Sequence, residues 1–380
     1  MFLQMISQFQ SIYTSLLEAN PAQIGMVNSV GEFSGAAVAL PTGWFADRCG
    51  PKKVFVASAL IMALGSLIFA LAQSWTMIIP ALLIFLFGQR FGMTICSMIC
   101  GKYLRSDERT MGVQLCDTVV ALPVLIAPTI GALIVTSFGG ITIEGIRPLY
   151  YFAFAGYCLI AIIVLKFWRE ETTESKGRKI DIVSSYQEVF IKGTAIKRWL
   201  AFSSIVNVPM MIFPIFWPLF AKEIKHADQF LLGAMSTAQF FIPLFLAIPL
   251  GKLADTIGKK KMFYVLSPLN ILAPLILVYA PSWELLVLAM ALSGISQITI
   301  RIESAIRAEL VPPQLLGKFA GLNTLTRALL VLPFPTIGGM LYSNFGPEYV
   351  FFLVTAVRIL EPLLLTTIPE LKRSAPDSKQ

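Results

Sequence analysis

The sequence predicts an all-α integral membrane protein of about twelve transmembrane helices. They form two pseudo-symmetric six-helix bundles, with both termini in the cytoplasm. Three observations predict this: composition, the recurrence of long apolar runs, and a charged turn that occurs twice. The 380 residues are 56% hydrophobic and 14% charged, whereas soluble domains carry about 25% charged residues. A soluble chain this apolar has too little polar surface to cover itself. Apolar runs of about 20 residues, the length that spans a bilayer as a helix, recur along the chain. They lack the alternation of a membrane β-barrel.

The repeated turn organises the rest. Gly43-Trp44-Phe45-Ala46-Asp47-Arg48-Cys49-Gly50-Pro51-Lys52-Lys53 returns 208 residues later as Gly251-Lys252-Leu253-Ala254-Asp255-Thr256-Ile257-Gly258-Lys259-Lys260-Lys261. Gly, Ala, Asp, Gly, Lys and Lys recur in place. At the same offset Gly25 pairs with Gly233, Ala39 with Ala247 and Pro41 with Pro249. At an offset of 207, Pro128-Thr129-Ile130-Gly131 pairs with Pro335-Thr336-Ile337-Gly338. Two segments agreeing on nearly one offset indicate an internal duplication with both copies in parallel orientation.

The spans follow in order. The first run, 1–17, carries Gln4, Ser7, Gln8, Ser11 and Ser15 as one polar helical stripe. The stripe suits a water-filled cavity; the run is also short enough that the chain's true start may be sought upstream. Glu18 to Ala22 is a turn. The run at 23–46 holds Glu32 and a Gly31-x-x-x-Gly35 spacing that lets helices approach closely. Further runs cover 54–72, 77–101 with Arg90, 110–136 with Asp117, Pro123 and Pro128, and 149–168. Residues 1–168 make the first bundle. From 169 to 198 seven Lys/Arg and no spanning run mark a cytoplasmic linker. Within it, Tyr186 to Ile191 suits an interfacial helix. The second bundle, 199–380, has runs at 199–221, 230–250, 262–280, 283–306, 316–342 and 349–368, then a short basic tail. Pro209, Pro214 and Pro218 break its first run, as is tolerated where neighbours or cavity water satisfy freed carbonyls.

Charge sets the expected orientation. With the N-terminus inside, the outer loops hold Arg147, Lys222 and Lys225, against twenty-one Lys/Arg in the inner loops, linker and tail. Positive residues concentrate on the cytoplasmic side. The net charge of +8 therefore reads as topogenic rather than as a nucleic-acid surface. The five cysteines form no disulfide or zinc pattern, and the lone His226 has no clustered ligand partners, so no metal site is expected. No G-x-x-x-x-G-K-[ST] loop appears, and no nucleophile constellation supports an enzyme.

With its motifs in hand, the chain resembles transporters of the major facilitator superfamily along essentially its whole length. The family's G-x-L-A-D-R-x-G-R-K-like turn between helices 2 and 3 is matched by Gly43, Ala46, Asp47, Arg48, Gly50, Lys52 and Lys53. Its echo between helices 8 and 9 is matched by Gly251, Leu253, Ala254, Asp255, Gly258, Lys260 and Lys261. Trp44, Phe45 and Pro51 depart from the pattern. The resemblance implies conformational gating by Gly43, Asp47, Arg48, Gly50, Lys53, Gly251, Asp255, Gly258 and Lys261. One glycine of each turn is expected to permit the sharp bend. Asp47 and Asp255 are expected to seek the positive poles of helices 11 and 5, each worth ~0.3–2 kcal/mol.

Ionisable groups inside a bilayer cost ~2.5–3.5 kcal/mol each and need a partner or a cavity. Arg90 resembles the Arg of the family's helix-4 motif, which is linked to proton coupling. Glu32 and Asp117 are candidates to pair with it or to carry the proton. Arg327 suits an ion pair to another helix. Asn207, Gln239, Phe213, Phe216 and Trp217 are candidates for substrate contact, although such aromatics are more often core. Arg301, Glu303 and Arg307, like Arg358 and Glu361, have spacings that suggest local ion pairs. Pro128 and Gly131 partly match a helix-5 antiporter motif, but its repetition as Pro335, Gly338 and Gly339 indicates helix packing.

The expected function is secondary active transport by alternating access. Proton-coupled export of a small hydrophobic compound is the first reading. Uptake of an organic anion or other metabolite is the alternative, and a non-transporting sensor on the same fold is a third. The proton gradient replaces any cofactor. The expected partners are the bilayer of the cell membrane and the small-molecule substrate, with no nucleic acid and a monomeric chain.

Overall fold

A computed structural model describes residues 1–38, 50–103, 109–168, 194–310, 319, 323, 326–327 and 329–368. Within these helices, the side chains of 34–38, 93–103, 109–122, 194–197 and 308–310 lie outside the description. Every described element is helical. The helices are α1 (Phe2–Leu16), α2 (Pro21–Val38), α3 (Pro51–Leu71), α4 (Trp75–Tyr103), α5 (Arg109–Ser137), α6 (Ile143–Phe167), α7 (Thr194–Glu223), α8 (Gln229–Ile257) and α9 (Lys259–Tyr279). α10 has two segments, Trp283–Ser293 and Ile295–Leu310, joined at Gly294, and is followed by α11 (Phe334–Asn344) and α12 (Pro347–Thr366).

Eight of the described helices are long and apolar enough to cross a membrane. The sequence reading of twelve spans is more generous because it counts polar α1 and α2, and ranges that reach undescribed residues. Large apolar side chains lie exposed on outward faces, such as Leu159, Ile162 and Leu165 on α6 and Phe241, Phe245 and Ile248 on α8. Such a surface belongs in hydrocarbon, since water-soluble monomers rarely expose apolar patches this broad.

The repeat is visible in the caps. Asn20 and Gln23 exchange side-chain and backbone hydrogen bonds at 2.8 Å each, a reciprocal capping box ahead of α2. Its duplicate Asp228, 208 residues on, accepts from Leu231 N at 2.7 Å and caps α8. Gly50 caps α3 with φ +82° and Gly258 caps α9 with φ +104°. These are the turn glycines, since L side chains rarely adopt such φ. The stripe on α1 is in part a packing seam rather than a cavity wall. Gln8 and Ser11 are buried, and Gln8 Nε2 donates to Pro128 O at 2.9 Å. Gly131 faces the same helix, and a Cβ there would lie 2.6 Å from Met5 O. Gly31 packs close to Leu82 of α4.

Candidate functional site

Two features stand out: a set of contacts that closes the first six helices on the last six, and a group of charges between them.

The contacts pair α2 with α11 and α5 with α8. A Cβ on Gly25 would sit 2.2 Å from Pro335 O, and one on Gly339 would sit 2.2 Å from Pro21 O. Each helix presents a glycine to a carbonyl of the other, so the two backbones touch. Beside them, Ser29 Oγ and Thr336 Oγ1 are 2.9 Å apart. On the other pair, Thr129 Oγ1 and Thr237 Oγ1 are 3.1 Å apart, and Gly233 packs against Ala132 and the Pro128 carbonyl. Thr237 is Ser29 displaced by 208 residues, and Thr129 is Thr336 displaced by 207. The hydroxyl pairs are therefore duplicates of one contact. Each hydroxyl lies eight residues from the helix end remote from Gly50 and Gly258, about 12 Å along the axis. Pro128, Gly131, Pro335, Gly338 and Gly339 all lie at helix contacts. Pro128, Pro335 and Gly339 form the seam between the halves, Gly131 packs on α1, and Gly338 packs on Phe216 and Ile212 of α7.

Among the charges, Arg90 Nη2 donates to Glu32 Oε2 at 3.1 Å, joining α4 to α2. Both side chains are partly exposed, at 33% and 27%. Arg327, in the helical stretch ahead of α11, donates through Nη1 to Asn207 Oδ1 on α7 at 3.2 Å. Asn207 in turn donates to Ser203 O at 2.5 Å, and Ser203 Oγ is 2.6 Å from Asn323 Oδ1. Arg327 lies in the electrostatic field of Arg90, Glu303, Glu32 and Arg307. It therefore links charges of both halves. The α12 pair Arg358–Glu361 forms at 3.2 Å and is buried, as its spacing suggests.

Glu303 departs from expectation. Its i+4 spacing to Arg307 suggested a local ion pair, yet no cation comes within 4.0 Å of it among the described residues. It is only 6% exposed. The spacing permits a pair, but a pair forms only when both side chains turn to one side of the helix.

A small cavity of about 40 Å³ opens within the second half, lined by α7, α8, α9, α10 and α12. Gln239, Asn270, Gln297 and Arg358 supply its polar wall. Pro209, Pro214 and Pro274, each inside a helix, line it as well. Asn270 Nδ2 donates to Thr299 Oγ1 at 3.0 Å, while its buried Oδ1 has no partner among the described residues. Of the candidate substrate contacts, Gln239 and Phe213 line this cavity and Asn207 serves Arg327. Phe216 and Trp217 are core.

At the turn, Gly43, Asp47 and Arg48 lie outside the described residues, as does the Asp117 side chain and most of the linker with its candidate interfacial helix. Lys53 and Lys261 are exposed. Their preceding neighbours act instead. Lys52 Nζ donates to Leu165 O at 3.0 Å, at the C-terminal end of α6. Its duplicate Lys260 donates to Ile368 O beyond α12. Both place a cation on the negative pole of a helix within the same half. Lysine identity alone did not mark which of two adjacent lysines reaches back. Asp255 is exposed on the last turn of α8. At the opposite end, Arg147 Nη2 donates to Ala72 O at 2.7 Å and Lys225 Nζ to Ala280 O at 2.9 Å. Two of the three cations that the sequence assigns to outer loops thus close the equivalent ends of α3 and α9.

The family model for the Major Facilitator Superfamily matches residues 1–213 and again 199–380. The chain belongs to the major facilitator superfamily. As a superfamily member it is a multi-pass secondary transporter and not an enzyme. It is 24% identical over 335 residues to the multidrug resistance protein MdtG of Proteus mirabilis (strain HI4320), covering 86% of this chain and 80% of that one. To the MdtG of Rahnella sp. (strain Y9602) it is 25% identical over 346 residues, covering 88% and 81%. A mutant of the nucleoside transporter NupG superposes with a TM-score of 0.80 at 15% identity, over 97% of this chain and 96% of that one. A POT family transporter in complex with 5-aminolevulinic acid gives 0.75 at 13% identity, over 96% and 94%. At these identities the two structures speak for the superfamily fold alone.

Proposed function

We propose that this transporter exports small, largely hydrophobic compounds across the cell membrane in exchange for protons, as a monomer. The observation that carries the reading is the group of charges between the halves: Glu32–Arg90 from the first six helices, with Arg327 and Glu303 from the last six. Charges at membrane depth are expensive and mark ion and substrate pathways. A carboxylate held there is what a proton-driven exchanger needs. The likeness to MdtG over most of both chains supports drug-like cargo and outward direction.

In this reading the contacts of α2 with α11 and of α5 with α8 close the extracellular side. The turns at Gly50 and Gly258 face the cytoplasm, in keeping with the placement of Lys and Arg. Lys52 and Lys260 hold α6 and α12 to their own halves, so each half moves as a body. The lost outer contacts are exchanged for contacts among the inner turns, where Asp47, Arg48 and Asp255 belong to the gate.

Inside-out vesicles containing the chain, with an acid interior imposed, test the reading with ethidium as probe. Ethidium accumulates, and a protonophore abolishes the accumulation. Accumulation equal to that of empty vesicles rejects proton-driven export of this cargo.

A further inference from the structure

Three of the described buried or half-buried carboxylates lie within the helical spans, and two are committed. Glu32 is held by Arg90 at 3.1 Å and Glu361 by Arg358 at 3.2 Å. Glu303 on α10 is 6% exposed and has no ion-pair partner within 4.0 Å among the described residues. A carboxylate in an apolar interior requires a counter-charge at contact distance or a proton. Glu32 and Glu361 have the first.

The field at Glu303 comes from three directions. Arg307 lies one turn further along α10, and Arg327 faces it from the stretch ahead of α11. Glu361, from α12, is a like charge. The described residues of α8 and α9, also packed on α10, add no charge that acts on it. The polar cavity reaches Arg358, the partner of Glu361. Its Asn270 Oδ1 has no donor among the described residues, which suits occupancy by water. The cavity thus ends beside the Arg358–Glu361 pair, and Glu361 and Glu303 act on one another electrostatically.

We propose that Glu303 is the carboxylate that takes up and releases the coupling proton, and that Arg327 reports its state to the other half; this rests on the reading of the chain as a proton-driven exporter. When ionised, Glu303 draws Arg327 and Arg307 and opposes Glu361. When protonated, it leaves Glu361 wholly to Arg358. It also frees Arg327 to act on Glu32 and Arg90 across the interface, whose charges it already senses. The proton passes between the Glu303 carboxyl and water, and no other bond changes.

The full chain in proteoliposomes tests this with Glu303→Gln, Glu303→Asp and wild type. Three readouts are needed: ethidium accumulation driven by a pH gradient, ethidium exchange at equal pH, and proton release on ethidium addition in detergent. Wild type that shows no driven accumulation rejects the export reading itself, whatever Glu303 does. With wild type active, Glu303→Gln loses driven accumulation at least tenfold and loses proton release, yet keeps exchange within about twofold. Retained driven accumulation and proton release overturn the proposal. If Glu303→Gln also loses exchange, Glu303→Asp decides. A shift of its pH profile for driven transport by half a pH unit or more supports the proposal; an unshifted profile, or no transport, overturns it.

Discussion

Ser29 Oγ and Thr336 Oγ1 meet at 2.9 Å across the two halves of the chain, and the internal repeat produces the same contact again between Thr237 and Thr129 at 3.1 Å. One duplicated element therefore supplies both sides of both pairs. Glycines beside them remove the side chains that would hold the helices apart. The closed end is thus made of backbone contact and neutral hydroxyls. Such contacts are weak enough to break in every transport cycle, since hydrogen bonds between membrane helices average ~0.6 kcal/mol and reach ~1.7 kcal/mol.

Loss of both hydroxyl pairs shifts the balance towards the outward-open state. Ser29→Ala with Thr129→Ala removes one member of each. At ~0.6–1.7 kcal/mol for each of the two contacts, the ratio of open to closed chains rises roughly 8- to 300-fold. Distances between spin labels at Ser74 and Ser282, in the α3–α4 and α9–α10 loops, read the change. An unchanged distance distribution contradicts it.

Bulk at the glycine contacts acts in the same direction and more strongly. Gly25→Leu and Gly339→Leu each place a side chain on a carbonyl that already lies 2.2 Å from a bare Cβ. Overpacking costs ~1–3 kcal/mol or more. Each variant is expected to reach the membrane, to occupy the outward-open state, and to lose more than 90%, about tenfold, of ethidium efflux. Leu159→Ala, on the exposed outward face of α6, serves as the control and transports within about twofold.

The Glu32–Arg90 pair depends on charge complementarity. Glu32→Gln leaves Arg90 poorly compensated at membrane depth, and the cost is below the ~3–5 kcal/mol of a fully buried broken pair because both groups are partly exposed. Expected outcomes are a lower melting temperature in detergent and at least tenfold lower driven transport. The swap Glu32→Arg with Arg90→Glu recovers much of the stability. If the swap is no more stable than either single change, the pair is not what holds these side chains.

Adjacent lysines differ. Lys52→Gln removes a cation from the α6 C-terminus and costs ~0.3–1 kcal/mol. Lys53→Gln, at an exposed position, stays within ~0.5 kcal/mol of wild type. Thermal unfolding in detergent separates the two, and equal effects refute the capping role.

Much of the fold was legible because membrane burial writes itself as length and apolarity. The spans, the turn glycines Gly50 and Gly258, and the duplicate caps Asn20 and Asp228 follow from local rules. The repeat offset even contained the hydroxyl pairs, since Ser29 and Thr237 stand 208 apart and Thr129 and Thr336 stand 207 apart. What the offset lacked was which helix crosses which, a property of the packed bundle. The site was less legible. Glu303 sits in an i+4 pattern with Arg307 that reads as a local ion pair, and only its burial and its distance from cations set it apart. Glu32 and Arg90 are 58 residues apart, and periodicity cannot say that α2 turns Glu32 towards α4. Phe216 and Trp217 were substrate candidates of a residue type more often found in cores, and they are buried in the core.

The central claim is that the Ser29–Thr336 contact opens and closes in each transport cycle. Disulfide trapping tests it most directly, with Ser29→Cys and Thr336→Cys in a chain whose five native cysteines are replaced by serine. The side-chain oxygens lie 2.9 Å apart, so the pair is expected to oxidise readily. The account predicts that ethidium transport stops in step with disulfide formation and returns on reduction. Undiminished transport by the fully cross-linked protein would contradict it.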